Sequence, residues 1–365
     1  MQKRIPIICF TLAMLLSLCG CQKSETPVQS GVAAQTALRS VLSLSCNFEN
    51  GGKETQNSGS GVVLQSNENG AYIATSLHIF SDFLQTDEDF SIALSPYGAD
   101  GNTFAQAEVA GILKDFDLAV LYTQTLKDAF PLLQAVSSVS ENIAAGEDIF
   151  VIGNALGKGL SATRGVVSVP SEYVTMSVPY QLDDITLRQI RADAPMNQGC
   201  SGGGAFDSKG NFIGMVNARS NQSGVNDFGY IIPSGTVMPL AHKLIQAHKA
   251  QKDSVSLFDF GAVIREENAK YEWSAQSEIS LSYDLRVSSL KAGSVSSVFL
   301  QNGDTLTAIQ RNGKTARLTK KYQVEGLFYE VETGDTLIFS YQRESTSKNY
   351  TLSVTDAYMK TIKII

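Results

Sequence analysis

Short apolar runs separated by turn signals recur along the first two thirds of the chain, and they constrain the fold most. The runs span residues 61–64, 72–74, 118–122, 149–152, 166–169 and 212–216, with turn dipeptides such as Asn69-Gly70 between them. Many short strands joined by hairpin-like turns are typical of all-β sandwiches and barrels. The first clear helical periodicity follows at 237–248, and we expect this helix to close the β-rich unit.

Composition excludes global disorder and argues against nucleic acid as the main partner. Apolar residues make up 43% of the 365 residues, enough for about two or three domains with real cores. The net charge of −7 means that acidic residues outnumber Lys and Arg, whereas phosphate binding needs an excess of Lys and Arg. Gly (30) outnumbers Pro (9), which suits turn-rich β structure.

The N-terminus predicts export and lipid attachment. Lys3 and Arg4 precede a long uncharged run, and Gly20 lies directly before Cys21. Residues 18–21 resemble a bacterial lipobox, which implies a signal peptide over 1–20 and a lipid on Cys21. An ordinary cleaved signal with a chance cysteine is the alternative. We therefore expect an extracytoplasmic chain held on a bacterial membrane by its lipid.

Composition shifts divide the rest of the chain. Residues 21–36 are polar and are predicted to form a tether, and residues 37–250 to form the first folded domain. A second unit over 257–360 is long enough for one small β-rich domain.

The cysteines and histidines predict neither a disulfide framework nor a metal site. Beyond the signal and Cys21, only Cys46 and Cys200 remain of the five cysteines. The three histidines lie far from any cysteine pair, so no zinc spacing exists. We expect no metal and no cofactor.

The glycine-rich stretch 197–204 is the strongest candidate for chemistry. A nucleophilic serine needs a tight turn whose backbone N–H groups converge on the developing oxyanion, and glycines permit that turn. Ser201, in Gly199-Cys200-Ser201-Gly202-Gly203, meets this need. Taken alone, such a glycine-rich stretch is more often a simple turn between strands.

A serine hydroxyl also needs a base and a group that orients the base. His78 ends an apolar run, and Asp117 opens another, where a desolvated carboxylate needs a partner. Taken separately, His78 fits a structural histidine, and Asp117 fits an aspartate that caps a turn. Together, the order His78, Asp117, Ser201 is the order of chymotrypsin-like enzymes and differs from that of subtilisins and α/β-hydrolases.

Five motifs in this order resemble the HtrA (Deg) family of trypsin-like serine proteases. They are Ser60-Gly61-Val62-Val63-Leu64, Ile73-Ala74-Thr75-Ser76-Leu77-His78, Asp117-Leu118-Ala119-Val120-Leu121, Gly153-Asn154-Ala155-Leu156-Gly157 and Asn197-Gln198-Gly199-Cys200-Ser201-Gly202-Gly203. The resemblance runs over about 38–248 and implies a mainly β fold with a chymotrypsin-like double β-barrel.

The resemblance implies roles for the matched residues. Ser201 is the expected nucleophile, His78 the general base and then acid, and Asp117 the orienting carboxylate. Gly199 and Ser201 are expected to supply the oxyanion-hole N–H groups. Cys200 stands where the family usually has Asn, but the register of the motif places Ser201 and not Cys200 at the apex of the turn.

Substrate selection is expected from a second segment. Phe228, Gly229 and Tyr230 resemble the segment that lines the primary specificity pocket and pairs with substrate as an added strand. Pro195 lies where trypsin has an aspartate, so we expect small or medium apolar side chains in the pocket rather than basic ones.

The second unit resembles a PDZ domain. Phe260-Gly261-Ala262-Val263 is similar to the loop whose backbone N–H groups hold a peptide C-terminus. An unrelated small β domain is the alternative.

These features imply a membrane-tethered serine endopeptidase that cleaves unfolded or exposed segments of exported proteins in protein quality control. A catalytically inactive, peptide-binding lipoprotein with the same fold is the alternative, which Cys200 favours and the intact His78, Asp117 and Ser201 oppose. Assembly as a homo-oligomer is left open, because residues 22–46 lack the aromatic residues that commonly hold family trimers.

Overall fold

The computed structural model describes residues 30–50, 53–81, 90–96, 105–124, 126, 130–140, 143–219, 228–273 and 279–364. Its helices are α1 Ser30–Leu38, α2 Ser234–Lys249 and α3 Lys321–Glu330. Its strands are β1 Val41–Asn50, β2 Lys53–Asn67, β3 Gly70–Ser76, β4 Phe90–Ser95, β5 Ala105–Leu113, β6 Leu118–Thr123, β7 Asp148–Gly153, β8 Ser161–Met176, β9 Ile185–Ala192, β10 Gly204–Asp207, β11 Phe212–Arg219, β12 Gly229–Pro233, β13 Ser254–Phe258, β14 Ala262–Trp273, β15 Ile279–Leu290, β16 Thr305–Arg311, β17 Lys314–Arg317, β18 Thr336–Arg343, β19 Thr346–Ser353 and β20 Met359–Lys363.

The first twelve strands close into two barrels with the same topology. The strand orders are β1-β2-β3-β6-β5-β4 and β7-β8-β9-β12-β11-β10, so the second barrel repeats the connections of the first. All neighbours are antiparallel, as short connections between sequential strands require. The predicted mainly β, double-barrel fold is confirmed.

Helix α2 closes the first domain where the apolar periodicity predicts it. It begins at Ser234 and ends at Lys249, and Val237, Leu240 and Leu244 on its inner face are fully buried. Each such side chain stabilises the fold by about 1.5–3 kcal/mol relative to exposure. The helix therefore covers an apolar face that the barrels alone leave open.

The N-terminal predictions meet the structure only in part. Residues 1–29, which include the predicted signal peptide and Cys21, lie outside the described residues. Helix α1 covers 30–38, so the last seven residues of the predicted tether are helical. Within the part of the chain that is described, no helix is both long and apolar enough to cross a membrane.

A second domain follows α2 and has its own core. Strands β14-β15-β16-β18-β19 form its main sheet, with β17 paired to β16, while β13 pairs with β20. Stacked and tilted rings of Phe260, Phe299 and Phe339 fill the core beside α3. Strand β14 is an edge strand of this sheet.

The two domains are in direct contact. The buried Lys243 of α2 donates to the carbonyl oxygen of Val331 just after α3. Near the other end of the second domain, Ile364 accepts a hydrogen bond from the backbone N–H of Ile112 in β5 at 2.7 Å. Because both contacts involve buried groups, the second domain packs against the first barrel rather than hanging from a free linker.

Candidate active site

The first barrel places His78 beside Asp117. Strands β3 and β6 are antiparallel, and Ser76 at the end of β3 pairs with Leu118 at the start of β6. His78 lies on the 3₁₀ turn Leu77–Ile79 that follows β3, and Asp117 directly precedes β6. The residue after one strand and the residue before its partner therefore meet at the same edge of the barrel.

Asp117 orients the imidazole of His78. Nδ1 of His78 lies 2.6 Å from Oδ2 of Asp117, and the backbone N–H of His78 donates to Oδ1 at 2.9 Å. Asp117 is fully buried and has a left-handed backbone conformation with φ of 47°. Aspartate tolerates that conformation better than most residues do. The Nδ1–H tautomer leaves Nε2 free to accept a proton.

Two more donors satisfy the buried carboxylate, and sequence reasoning did not find either of them. Nδ2 of Asn217 donates to Oδ2 of Asp117 at 2.6 Å, and the hydroxyl of Tyr180 donates to Oδ1 at 3.1 Å. A buried charge is costly unless hydrogen bonds replace its lost hydration. Asn217 directly follows the apolar run 212–216 within β11, so a buried amide inside a strand is the signal that could have found it.

The charge of Asp117 alters the proton affinity of His78. Burial lowers the pKa of His78, but the negative charge of Asp117 and its hydrogen bond raise it by more. The net pKa of His78 therefore lies above its ordinary value of 6.5. This favours the imidazolium that forms when His78 takes up a proton.

Ser201 lies on two consecutive turns that precede β10. The backbone N–H of Cys200 donates to Asn197, and the N–H of Gly203 donates to Cys200. Gly199 and Gly202 have φ of 93° and 79°. A Cβ on Gly199 would stand 2.2 Å from the carbonyl oxygen of Asn154, so glycine is required by both conformation and space.

The turn presents unpaired donors beside the serine. The carbonyl oxygen of Gln198 accepts a hydrogen bond from Leu156 at 2.7 Å. Because the peptide is trans, the N–H of Gly199 points the opposite way. Among the described residues, neither this N–H nor that of Ser201 has a hydrogen-bond acceptor. The pair therefore has the form of an oxyanion hole.

Ser201 and His78 line one cleft without a mutual hydrogen bond. The cleft has a volume of about 400 Å³ and includes Gly199 in its wall. Oγ of Ser201 donates to the carbonyl oxygen of Asn217 at 3.1 Å, and within the described residues no hydrogen bond joins it to His78. Catalytic hydrogen bonds are often misaligned before substrate binds, and rotation about the Cα–Cβ bond of Ser201 redirects the hydroxyl.

Cys200 is a buried free thiol. Its pKa is raised, because burial outweighs the lowering effect of a hydrogen bond with the backbone of Asn197. The thiolate is the nucleophilic form, so this environment disfavours Cys200 as a nucleophile. Cys46 is also free and buried, and burial raises its pKa to about 12.

The segment expected to select substrate lies on β12 of the second barrel. Gly229 begins the strand, and the ring of Phe228 packs edge-on against Tyr230 with centroids 5.8 Å apart. The sulfur of Met196 lies 2.2 Å from the position that a Cβ on Gly229 would take. The side chain of Met196, a residue that the sequence did not single out, therefore packs directly against Gly229.

The expected strand addition at this segment is wrong for Gly229 and Tyr230. Gly229 pairs with Ala192 of β9 and with Arg219 of β11, and Tyr230 is likewise paired on both sides. A strand with both edges occupied has no free N–H and C=O groups for a peptide. These two residues can contribute only a wall to a substrate pocket.

In the described ranges, no group of His, Cys, Asp and Glu side chains lies close enough to hold a metal ion.

Comparisons with known proteins agree with this geometry. A family model described as "Trypsin-like peptidase domain" matches residues 59–215. "Serine protease Do-like HtrA" of Bacillus subtilis is 31% identical over 210 residues, which cover 56% of this chain and 44% of that protein. The protein of the same name from Lactococcus lactis subsp. cremoris is 25% identical over 326 residues, which cover 86% of this chain and 74% of that protein.

Solved structures support the fold. The structure titled "HtrA-type protease AlgW with tripeptide" has a TM-score of 0.56 and 20% identity, and the match covers 91% of this chain and 97% of that one. At this identity the likeness shows a shared architecture over both domains.

Proposed function

We propose that this chain, which belongs to the HtrA family of trypsin-like serine proteases, hydrolyses peptide bonds through His78, Asp117 and Ser201. The expected serine endopeptidase is confirmed at the level of the family. The observation that carries the proposed triad is the 2.6 Å contact between Nδ1 of His78 and a fully buried Asp117. An imidazole held in this way is oriented to serve as a base.

The reaction is acyl transfer. Oγ of Ser201 attacks the peptide carbonyl carbon while Nε2 of His78 takes the hydroxyl proton. The N–H groups of Gly199 and Ser201 bind the resulting oxyanion, and His78 then gives its proton to the leaving amine. Water repeats these steps on the acyl-enzyme, so the second product leaves as a carboxylic acid and Ser201 is restored.

A fluorophosphonate probe tests this proposal on the purified chain. We expect the probe to label the wild type and the Cys200→Ala variant, but not Ser201→Ala. Loss of a fluorogenic peptide activity in Ser201→Ala supports the same conclusion. A wild type that binds peptides but takes no label supports the inactive, peptide-binding alternative instead.

The substrates that we propose are unfolded or exposed polypeptide segments. The cleft opens to the surface, where Gln198 is exposed and His78 partly exposed. An open cleft accepts an extended chain more easily than a folded surface, because the scissile peptide must reach Ser201. Comparing cleavage of a folded protein with cleavage of the same protein after reduction and unfolding tests this preference.

The second domain is proposed to bind peptide C-termini, as PDZ domains do. Phe260 and Gly261 have backbone N–H groups without an acceptor among the described residues, and Gly261 has φ of 72°. They precede the edge strand β14, where a peptide can add as a strand. Ala262 and Val263 begin that strand. Binding of a peptide with a free C-terminus, and not of its C-terminal amide, is the expected result.

Export and lipid anchoring through Cys21 are also proposed. The support is the sequence of residues 1–21, with its basic start, apolar run and lipobox-like end. In a bacterial host, Cys21→Ser is expected to move the chain from the membrane fraction to the soluble extracytoplasmic fraction. Mass spectrometry of the wild-type N-terminal peptide then shows whether Cys21 carries acyl chains.

A further inference from the structure

Tyr180 reaches the catalytic carboxylate from a part of the chain outside the triad motifs. It lies between β8 and β9, and its side chain is buried in the apolar core that the first barrel shares with parts of the second barrel and α2. Its hydroxyl is 3.1 Å from Oδ1 of Asp117 and 3.1 Å from the carbonyl oxygen of Lys114. A hydroxyl has one hydrogen to donate, and the carboxylate is the stronger acceptor.

The hydroxyl of Tyr180 keeps its proton. Its pKa is raised by burial first, and then by the charges of Asp117 and Asp115 and the hydrogen bond to Asp117. Tyr180 therefore stays a donor to Asp117 through neutral pH. The groups that face this carboxylate are then His78, Asn217 and Tyr180, and of these only His78 titrates near neutral pH.

The hairpin that carries Tyr180 rests on helix α3 of the second domain. Tyr173 of β8 and Arg188 of β9 are paired opposite each other. The hydroxyl of Tyr173 donates to Glu325 at 2.7 Å, and the guanidinium of Arg188 lies 3.7 Å from the ring centroid of Tyr322. One cross-strand pair of the hairpin thus makes contacts with α3 at both of its residues.

Helix α3 also touches the turn of Asp117 directly. The ring of Tyr329 packs edge-on against Phe116, with centroids 5.4 Å apart. Phe116 immediately precedes Asp117, whose left-handed conformation must be held by its surroundings. The second domain thus supports the catalytic carboxylate on two sides.

We propose that Tyr180 is a positioning residue for Asp117 and that α3 holds Tyr180 in place through the pair Tyr173 and Arg188. This inference rests on the proposed function of the triad. The hydrogen bond from the hydroxyl of Tyr180 fixes Oδ1 of Asp117, so that Oδ2 of the same carboxylate stays directed at Nδ1 of His78. The second domain thereby contributes to the geometry of a site that lies wholly in the first domain.

The first test replaces one hydroxyl. Tyr180→Phe keeps the ring and removes the donor, so more of the carboxylate charge is left to act on His78. We expect the pKa of His78, followed by NMR titration of the imidazole, to rise above the wild-type value. We also expect kcat/KM to fall about tenfold with KM little changed, as for loss of a hydrogen bond to a charged group. Tyr122→Phe, which loses a hydroxyl bonded to the carbonyl of Asn69, is the matched control.

The NMR titration separates this inference from the proposed function, because it needs no hydrolysis. An unchanged pKa of His78 in Tyr180→Phe overturns the positioning role, even if the wild type is active. A raised pKa in a chain that takes no fluorophosphonate label overturns the proposed function and leaves the positioning role standing.

The second test is a double-mutant cycle. Tyr173→Phe alone removes the bond to Glu325, and we expect it to lower kcat/KM about threefold. In the Tyr180→Phe background the same change is expected to add nothing, because the residue through which it acts is already gone. Additive effects of the two substitutions would overturn the part assigned to α3. The titration of His78 in Tyr173→Phe reports the same coupling without relying on turnover.

Discussion

The hydroxyl of Ser60 on the first barrel donates a hydrogen bond to the carbonyl oxygen of Gly199 on the nucleophile turn, at 2.8 Å. The same hydroxyl accepts the backbone N–H of Asn154 at 2.8 Å, and the backbone N–H of Ser60 donates to Ser201. Ser60 is fully buried, so water cannot replace these bonds. The turn of the second barrel that carries the proposed oxyanion donors therefore depends on one residue of the first barrel.

Ser60→Ala should impair catalysis more than binding. The carbonyl of Gly199 loses its partner, so the turn that carries Gly199 and Ser201 is held less firmly in the shape that directs both N–H groups at the oxyanion. We expect kcat to fall about tenfold, less than the loss of an oxyanion donor itself causes. The N–H of Asn154 also loses its acceptor, which lowers the free energy of unfolding by about 1–3 kcal/mol. Steady-state kinetics and urea unfolding measure the two effects.

The control for Ser60→Ala is Ser161→Ala, which removes a hydroxyl bonded to the carbonyl of Gly153 nearby. Its kcat should match that of the wild type. Equal kcat values for the wild type and Ser60→Ala would show that the nucleophile turn holds its shape without the hydroxyl.

The pH dependence should report the His78–Asp117 pair. Hydrolysis needs the neutral imidazole, and the pKa of His78 is raised, so kcat/KM should fall on acidification with a midpoint above pH 6.5. In Asp117→Asn only the lowering effect of burial remains, so the pKa of His78 should drop. The rate should fall by about 10⁴-fold because the tautomer is no longer fixed. A pH profile and an NMR titration of His78 check both statements.

The same pair links stability to pH. A group whose pKa is higher in the folded chain stabilises the fold at pH values below its unfolded pKa. The contribution of His78 is therefore present below about pH 6.5 and disappears as the pH rises through the folded pKa. The free energy of unfolding should be higher for the wild type than for Asp117→Asn, and this difference should be larger at pH 5 than at pH 8. Urea unfolding at both pH values measures it.

Cys200 should be dispensable for the chemistry. Its thiol is buried and its raised pKa disfavours the thiolate. Cys200→Ala should keep kcat/KM within about threefold of the wild type and lose about 1 kcal/mol of stability from the cavity. Iodoacetamide should leave activity of the folded wild type intact. Rapid inactivation by the alkylating agent would point instead to an accessible, reactive Cys200.

The residues of the proposed triad could be found in the sequence because each of them follows from a local pattern. His78 ends one apolar run, Asp117 begins another, and Ser201 sits among glycines whose left-handed angles require glycine. Strand ends in a barrel gather at its edges, so such residues meet once the chain order is known. The register of β3 with β6 then brings His78 and Asp117 into contact.

The supporting residues were not predictable, since their roles depend on pairing across long sequence separations. Tyr180 meets Asp117 only because the connection between β8 and β9 folds back onto the first barrel. Asn217 meets the same carboxylate from β11, 100 residues away along the chain. The failure of strand addition at Gly229 has the same origin, because apolar content does not show that both edges of β12 are paired.

Met196 should set the size of the substrate pocket. Its sulfur covers Gly229, the residue expected to line that pocket, and the side chain is buried. Met196→Ala should enlarge the substrate pocket. We expect the ratio of kcat/KM for a peptide with Phe before the scissile bond to kcat/KM for a peptide with Val there to rise about tenfold. Met215→Ala is the matched control, because Met215 is a buried methionine of the same barrel on β11. An equal preference for Phe over Val in the two variants would show that Met196 does not set the size of the pocket.

Lys243 should control how firmly the second domain docks. It is a buried cation on α2 that donates to the carbonyl of Val331 and pairs with the carboxylate of Glu332. Lys243→Met leaves the carbonyl of Val331 without its donor, so we expect docking to weaken by about 1–3 kcal/mol. Trypsin should then cut after Lys252, in the joint between α2 and β13, faster than in the wild type. The exposed Lys249 on the same helix bonds only a glutamine side chain among the described residues and lies beside the ring of Tyr72. Lys249→Met should therefore leave the cleavage rate unchanged, and equal rates for the two variants would mean that other contacts, such as those of α3 with the hairpin, dominate docking.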